Sequence, residues 1–278
     1  MSENCQLISD AGVARAGKPA TDLFLLGILS GAYLAFAGAA STMAGFNLLA
    51  NPETFGLGRC LSGALFPCGL ILVLLVGAEL FTGNTMMLLP LAQRRISLFA
   101  MLRNWGIVYA GNLLGAVCFA WMIYHSGQLS AGNNLLGGVT IKVAAAKCSL
   151  TFLQAFLLGI LCNWLVCLAI WMATGTKETA GKILAIFFPI WLFVTSGFEH
   201  SVANMYFIAA GLFAVQSPVW LESARAITSP EVLASLTWQN FFLKHLLPVS
   251  LGNIVGGGIF VALAYGYVHR NSSDPKIR

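Results

Sequence analysis

The segment TSGFEHSVANM, Thr195 to Met205, sets a carboxylic acid beside an imidazole, Glu199 and His200, between the apolar runs ILAIFFPIWLFV and YFIAAGLFAV. A second polar interruption, GAELFTGNT at 77 to 85, places Glu79 and Thr82 inside a leucine-valine run. An imidazole can change charge near neutral pH, donate a proton or hydrogen-bond an anion, and an acid beside it can assist in acid-base work. An ionisable group at membrane depth costs about 2.5–3.5 kcal/mol even on permissive insertion scales, so its presence there points to function. Of the four histidines only His200 is expected to lie deep, since His125, His245 and His269 fall at the ends of apolar runs. Nothing beside Glu199 and His200 supplies a nucleophile, metal cluster or cofactor motif, so the pair does not read as an enzyme's. The seven cysteines show no CxxC and no ligand-like cluster with histidine. They read as small packing residues, with no metal, haem or other cofactor expected.

The elements that hold these residues are membrane spans. The 278-residue chain is 58% apolar and 9% charged, against roughly 25% charged in soluble domains. Long apolar runs predict an all-α membrane protein with six spans near 24–45, 61–90, 105–124, 150–173, 183–213 and 246–268. About 20 helical residues cross a ~30 Å hydrocarbon core. Residues 1–22 form a polar N-terminal segment with Glu3, Asp10 and Asp22, unlike the basic start of a cleaved signal peptide. The channel-forming domain is expected over 23–270 and a tail over 271–278. The net charge of +5 is spread along the chain, which argues against a nucleic-acid partner. Ten of the 15 Lys and Arg fall on one side, among them Arg15, Lys18, Arg94, Arg95, Arg103, Arg270, Lys276 and Arg278. The other side holds Arg59, Lys142, Lys147, Arg225 and Lys244. The positive-inside rule then makes both termini cytoplasmic.

The two halves repeat. FLLGILSGAYLAFA at 24–37 matches FLLGILCNWLVCLA at 156–169, and GNLLGAVCF at 111–119 matches GNIVGGGIF at 252–260. Between them, Phe66-Pro67 and Phe188-Pro189 precede a shared pattern, Gly77, Glu79 and Asn84 in one half and Gly197, Glu199 and Asn204 in the other. An odd number of spans per half makes the repeat inverted, with a pseudo-two-fold axis in the membrane plane. The wider last spacing reflects an outer insert at 216–240, where SPE at 229–231 reads as a helix start.

Residues 183–194 give about 18 Å of helix before the polar break, which puts it near mid-bilayer. Irregular backbone at that depth must face protein or a watery cavity. The second and fifth spans are therefore predicted to be broken helices. Thr82 and Ser201 would cap the half-helices that follow, and Glu79 and Glu199 would satisfy free backbone N–H groups at the breaks. Two helix N-termini aimed at one region favour an anion.

The pieces AELFTGNT (78–85), NWGIVYAGNLLGA (104–116), LGILCNWLVCLAIWM (158–172), SGFEHSVANM (196–205) and LPVSLGNIVGGG (247–258) resemble the formate/nitrite transporter family, over nearly the whole chain. The resemblance implies a homopentamer of aquaporin-like protomers in a bacterial inner membrane or a comparable plasma membrane. Each protomer would have its own pore for a small monovalent anion: formate, nitrite or hydrosulfide. It implies a central pair, Thr82 and His200, with Asn163 nearby. Apolar constrictions would come from Phe66, Leu70, Leu80, Phe81 and Phe193, and Lys147 would be an outer-vestibule lysine. Glu79 in place of the aspartate common in formate channels, and TGNT after Phe81, look closer to nitrite-type members. LPVSLGNIVGGG and the outer insert look closer to formate-type members.

The expected mechanism follows from desolvation, since a bare anion crosses a greasy slit at large cost and its neutral acid does not. Lys147 and the helix ends would concentrate the anion. His200, helped by Thr82, would hydrogen-bond or protonate it. The polar N-terminal segment is expected to cover the inner mouth. The two Asn-Pro-Ala boxes of a neutral-solute channel are absent: the one Asn-Pro, Asn51-Pro52, leads into Glu53. A proton-coupled transporter using the same His-Thr site remains the alternative to a passive channel.

Overall fold

The computed structural model describes residues 3–269, so Arg270, Lys276 and Arg278 and the expected tail 271–278 lie outside it. Among the described residues all regular structure is helical, and six stretches are long and apolar enough to cross a membrane. In chain order the helices are α1 (Glu3–Gly17), α2 (Ala20–Ala50), α3 (Pro52–Val76), α4 (81–92), α5 (Leu98–His125), α6 (Leu135–Cys148) and α7 (Phe152–Thr174). They continue with α8 (Thr179–Ser196), α9 (Ser201–Ala214), α10 (Pro218–Arg225), α11 (Pro230–Ala234) and α12 (Asn240–Val268). The spans are α2, α3 with α4, α5, α7, α8 with α9, and α12.

The repeat runs deeper than three spans. At a spacing of 132, α1 maps onto α6 and α2 onto α7; at 120, α3 and α4 map onto α8 and α9; at 141, α5 maps onto α12. The polar N-terminal segment is thus the counterpart of α6, a helix the hydropathy pattern did not announce. Both are too polar or too short to span, and each lies over one end of the bundle. The Phe-Pro pairs, spaced by 122, turn out to be two residues out of step with the Gly-Glu-Asn pattern at 120. The counterpart of Phe66 is Ile186. The insert widens the last spacing as expected, and Ser229 caps α11 by accepting from the Val232 N–H. Membrane helices begin earlier than their oily runs, at Ala20 rather than 24 and at Asn240 rather than 246, because flanking polar residues still make helical hydrogen bonds.

Small residues let backbones approach where α2 crosses α5 and α7 crosses α12. A Cβ at Gly111 would meet Phe24 O at 2.6 Å, and its counterpart Gly252 faces Phe156 O in the same way. Both broken spans end their first half on a glycine in the left-handed region, Gly77 at φ +92° and Gly197 at φ +78°. One further bond completes each turn-off: Ala78 N–H donates to Val73 O at 2.9 Å and Phe198 N–H to Phe193 O at 3.1 Å. This is the C-terminal motif that glycine serves without a Cβ penalty. The chain then runs extended to Leu80 (φ −118°, ψ 122°) and His200 (φ −105°, ψ 116°) before the next half-helix starts.

Candidate anion pathway

Two asparagines hold the breaks open. Asn112 donates to Gly27 O (2.8 Å) and Glu79 O (3.0 Å) and accepts from the Phe81 N–H (3.0 Å). Asn253, its counterpart, donates to Gly159 O (2.8 Å) and Glu199 O (3.0 Å) and accepts from the Ser201 N–H (2.9 Å). The free backbone groups at the breaks are therefore met by amides reaching from α5 and α12, because an amide carries both a donor and an acceptor and the break exposes both. This corrects the expectation that Glu79 and Glu199 would do it. The signal was present in the sequence as the GN of GNLLGA and GNIVGG.

The glutamates instead anchor one ion cluster at each end. Glu79 accepts from Lys18 Nζ at 2.6 Å and from Asn84 Nδ2 at 2.8 Å, with Arg15 Nε at 3.5 Å. Asn84 Nδ2 also reaches Asn104 Oδ1, 2.9 Å away. Glu199 accepts from Lys147 Nζ and from Asn204 Nδ2, both at 2.6 Å. Asn204 Nδ2 reaches His245 Nε2 at 2.8 Å. The clusters are repeat counterparts, Arg15 matching Lys147 and Asn104 matching His245. His245 is fully buried, which overturns its reading as an interfacial histidine. A carbonyl can only accept, so its Nδ1–H donates to Lys147 O (2.8 Å) and Nε2 takes the Asn204 proton.

The half-helix caps also differ from expectation. The N-cap positions are Leu80 and His200, not the hydroxyl residues after them. His200 Nδ1 accepts from the Ala203 N–H at 3.0 Å. An amide N–H can only donate, so Nδ1 carries a lone pair and the ring proton sits on Nε2, which donates to Thr82 Oγ1 at 2.9 Å. The cap thus fixes the tautomer. Ser201 Oγ has no partner. Beyond the capped positions, the N–H groups of Thr82, Gly83 and Val202 have no acceptor among the described residues, so both half-helices present positive ends inward.

These ends flank a chamber of about 200 Å³ lined by Leu34, Phe66, Leu70, Leu80, Val166, Ile190, Phe193 and His200. Six of the eight are repeat counterparts: Leu34 with Val166, Leu70 with Ile190, and Leu80 with His200. The pseudo-two-fold axis passes through the chamber, and His200 is its one polar wall. Leu34, Val166 and Ile190 escaped sequence reading; the repeat register would have found them. Phe66 and Phe193 meet edge to face at 5.8 Å and close the chamber from an outer cavity of about 540 Å³ that holds Arg59, Lys147 and Asn204. Three expected residues line neither cavity, and of these Thr82, fully buried, meets the chamber only through its bond to His200 Nε2. The Phe81 ring packs edge-on against Trp105 and Tyr109. Asn163 is buried and donates to Thr82 O (3.1 Å) and Asn253 O (2.7 Å), supporting the half-helix rather than facing the chamber.

At the mouth opposite the outer cavity α1 packs on α4 and is tied to α7 by Asn4 Nδ2 to Trp171 O (3.2 Å) and to the loop after α4 by the Asp10–Arg95 ion pair (2.7 Å).

An inverted repeat of six spans, two of them broken to meet at a small central chamber, defines a multi-pass membrane transport protein. The sequence pattern of the formate/nitrite transporter family matches residues 2–267, and the chain belongs to that family, one of transporters and channels rather than enzymes. It is 40% identical to a probable formate transporter of Methanothermobacter thermautotrophicus over 90% of both chains. It is 35% identical to formate channel FocA of Escherichia coli strain K12 over 97% of this chain and 94% of that one. Among solved structures it superposes on a pentameric formate channel with formate bound at a TM-score of 0.80, with 36% identity over 90% of this chain and 98% of that chain.

Proposed function

We propose that the protein conducts formate through a pore in each protomer of a homopentamer, with residues 23–270 forming the channel domain and both termini in the cytoplasm of a prokaryotic cell. The names of its relatives and the bound formate of the solved pentamer support the substrate and the assembly. The charge asymmetry supports the orientation. The observation that carries the mechanism is the meeting of two half-helix N-termini and the His200–Thr82 pair at a chamber that is otherwise apolar.

An anion drawn to the outer cavity by its cations loses water at the Phe66–Phe193 slit. Inside, the unpaired N–H groups and the Thr82 hydroxyl, its oxygen held by the His200 Nε2–H, replace that hydration with fixed donors, which need no reorganisation as the ion arrives. The Thr82 hydroxyl accepts from His200 and can turn its own proton to the anion. With Nδ1 committed to the Ala203 N–H, His200 works as a neutral hydrogen-bond donor; giving up its only ring proton would leave an imidazolate in an apolar wall. A proton that neutralises formate therefore comes from vestibule water rather than from His200. The slit turns back larger hydrated ions.

Formate flux into proteoliposomes, with nitrite and hydrosulfide as competitors, tests the substrate. Formate that neither crosses nor competes would remove it. Reversal potentials under separate formate and proton gradients decide between passive conduction and proton coupling: a potential that follows formate alone marks a channel.

A further inference from the structure

Charge accounting in the outer vestibule leaves one guanidinium unexplained. Two adjoining cavities open outward from the slit, and Arg59 and Lys147 line both; the second also holds Lys142 and Glu199. Lys147 is neutralised by Glu199 at 2.6 Å, and Lys142 donates to Leu49 O at 3.1 Å. Arg59 donates through Nη2 to Val194 O, near the C-terminal end of α8. That carbonyl already accepts from the Gly197 N–H at 3.1 Å, so the helix end does not need the arginine. Arg59 has no carboxylate within ion-pair distance among the described residues, Glu199 acting on its charge only at longer range across the second cavity, and four of its five N–H donors have no acceptor there. The left-handed turn at Gly197 makes its room: a Cβ there would lie 3.0 Å from Nη2. The repeat counterpart of Arg59 is Thr179, so this feature belongs to the outer mouth alone.

A partly buried guanidinium whose nearest acid is held by Lys147 rather than in contact with it is completed by a mobile anion, and its planar fork matches two oxygens held at a carboxylate's angle. We propose that Arg59 forms an outer subsite that selects bent two-oxygen anions, formate and nitrite, over one-centre anions such as hydrosulfide or chloride before the slit. Lys147 supplies attraction to any anion, whereas Arg59 supplies the shape test. The proposal rests on the channel reading above and names how that channel sorts its substrate.

The test compares wild type, R59K and R59Q in proteoliposomes, recording half-saturating concentrations for formate and for hydrosulfide. Lysine keeps the charge and can still reach Val194 O but has no fork. R59K is expected to raise the formate value about tenfold, the loss of one of two charge-assisted bonds, while the hydrosulfide value stays within about twofold. R59Q is expected to raise both. An R59K protein with an unchanged formate-to-hydrosulfide ratio would overturn the subsite, leaving Arg59 as general charge or as a helix-end brace. If neither variant folds, wild type decides: equal half-saturation by formate, nitrite, hydrosulfide and chloride also overturns it. Wild type that passes no formate at all defeats the channel assignment instead, so the two failures are distinguishable.

Discussion

Replacing His200 with leucine gives the second half the residue that its repeat counterpart, Leu80, already carries at the same N-cap with nearly the same backbone. The fold therefore accommodates the change, and its cost can be worked from the bonds removed. Losing the cap on the Ala203 N–H costs about 1 kcal/mol. Leaving the fully buried Thr82 hydroxyl without its partner costs about 1–3 kcal/mol more, so H200L should be about 2–4 kcal/mol less stable and still assemble. Transport should suffer separately. A hydrogen bond to a charged group contributes about 1.5–3 kcal/mol, and its removal from the chamber slows passage roughly 10- to 150-fold. H200N separates the two effects, since asparagine caps as well as any residue but is too short to reach Thr82. It should regain only the cap's share of about 1 kcal/mol relative to H200L, keep the loss at the Thr82 hydroxyl, and lose flux. The assay is stopped-flow formate flux in proteoliposomes across external pH, beside thermal denaturation in detergent. Folded H200L that conducts within about twofold of wild type with the same pH profile would refute the claim that fixed donors in the chamber carry the anion.

Further expectations concern the supports and the gate. N112A and N253A each orphan two buried carbonyls and one N–H, a loss of about 3 kcal/mol or more; both should lower the detergent denaturation temperature more than H200N does, and normal stability in either would show that the breaks hold themselves. K147Q leaves Glu199 without its cation, so the half-saturating formate concentration should rise several-fold, and less so in high salt as screening weakens vestibule attraction; a salt-independent change would point to a structural role. F66A removes one ring of the outer slit and should let chloride leak through; tight exclusion of chloride would place the gate elsewhere.

The sequence by itself determined the class of protein and the frame of the site. Composition requires a bilayer, and the duplicated Gly-x-Glu pattern requires two breaks, because no other placement satisfies a polar, glycine-bearing stretch in the middle of an apolar span. It marked His200 and Thr82 for the same reason. What it could not decide is which group meets which across the interior. Asn112 and Asn253 were visible as letters, but that they bridge the breaks depends on helix crossings between α2 and α5 and between α7 and α12. His245 looked interfacial because hydropathy reads depth along one helix, whereas its burial comes from α6 and α9 closing over it. That the polar N-terminal segment is a helix repeated in α6 was not legible, because the two share a backbone path and not their residues. Arg59 was one positive charge among fifteen until the fold paired Lys147 with Glu199 and left Arg59 without a carboxylate in contact. Local chemistry is written along the chain, but hydrogen-bond partners and charge compensation belong to distances in space, and those are fixed only when the two halves close on each other.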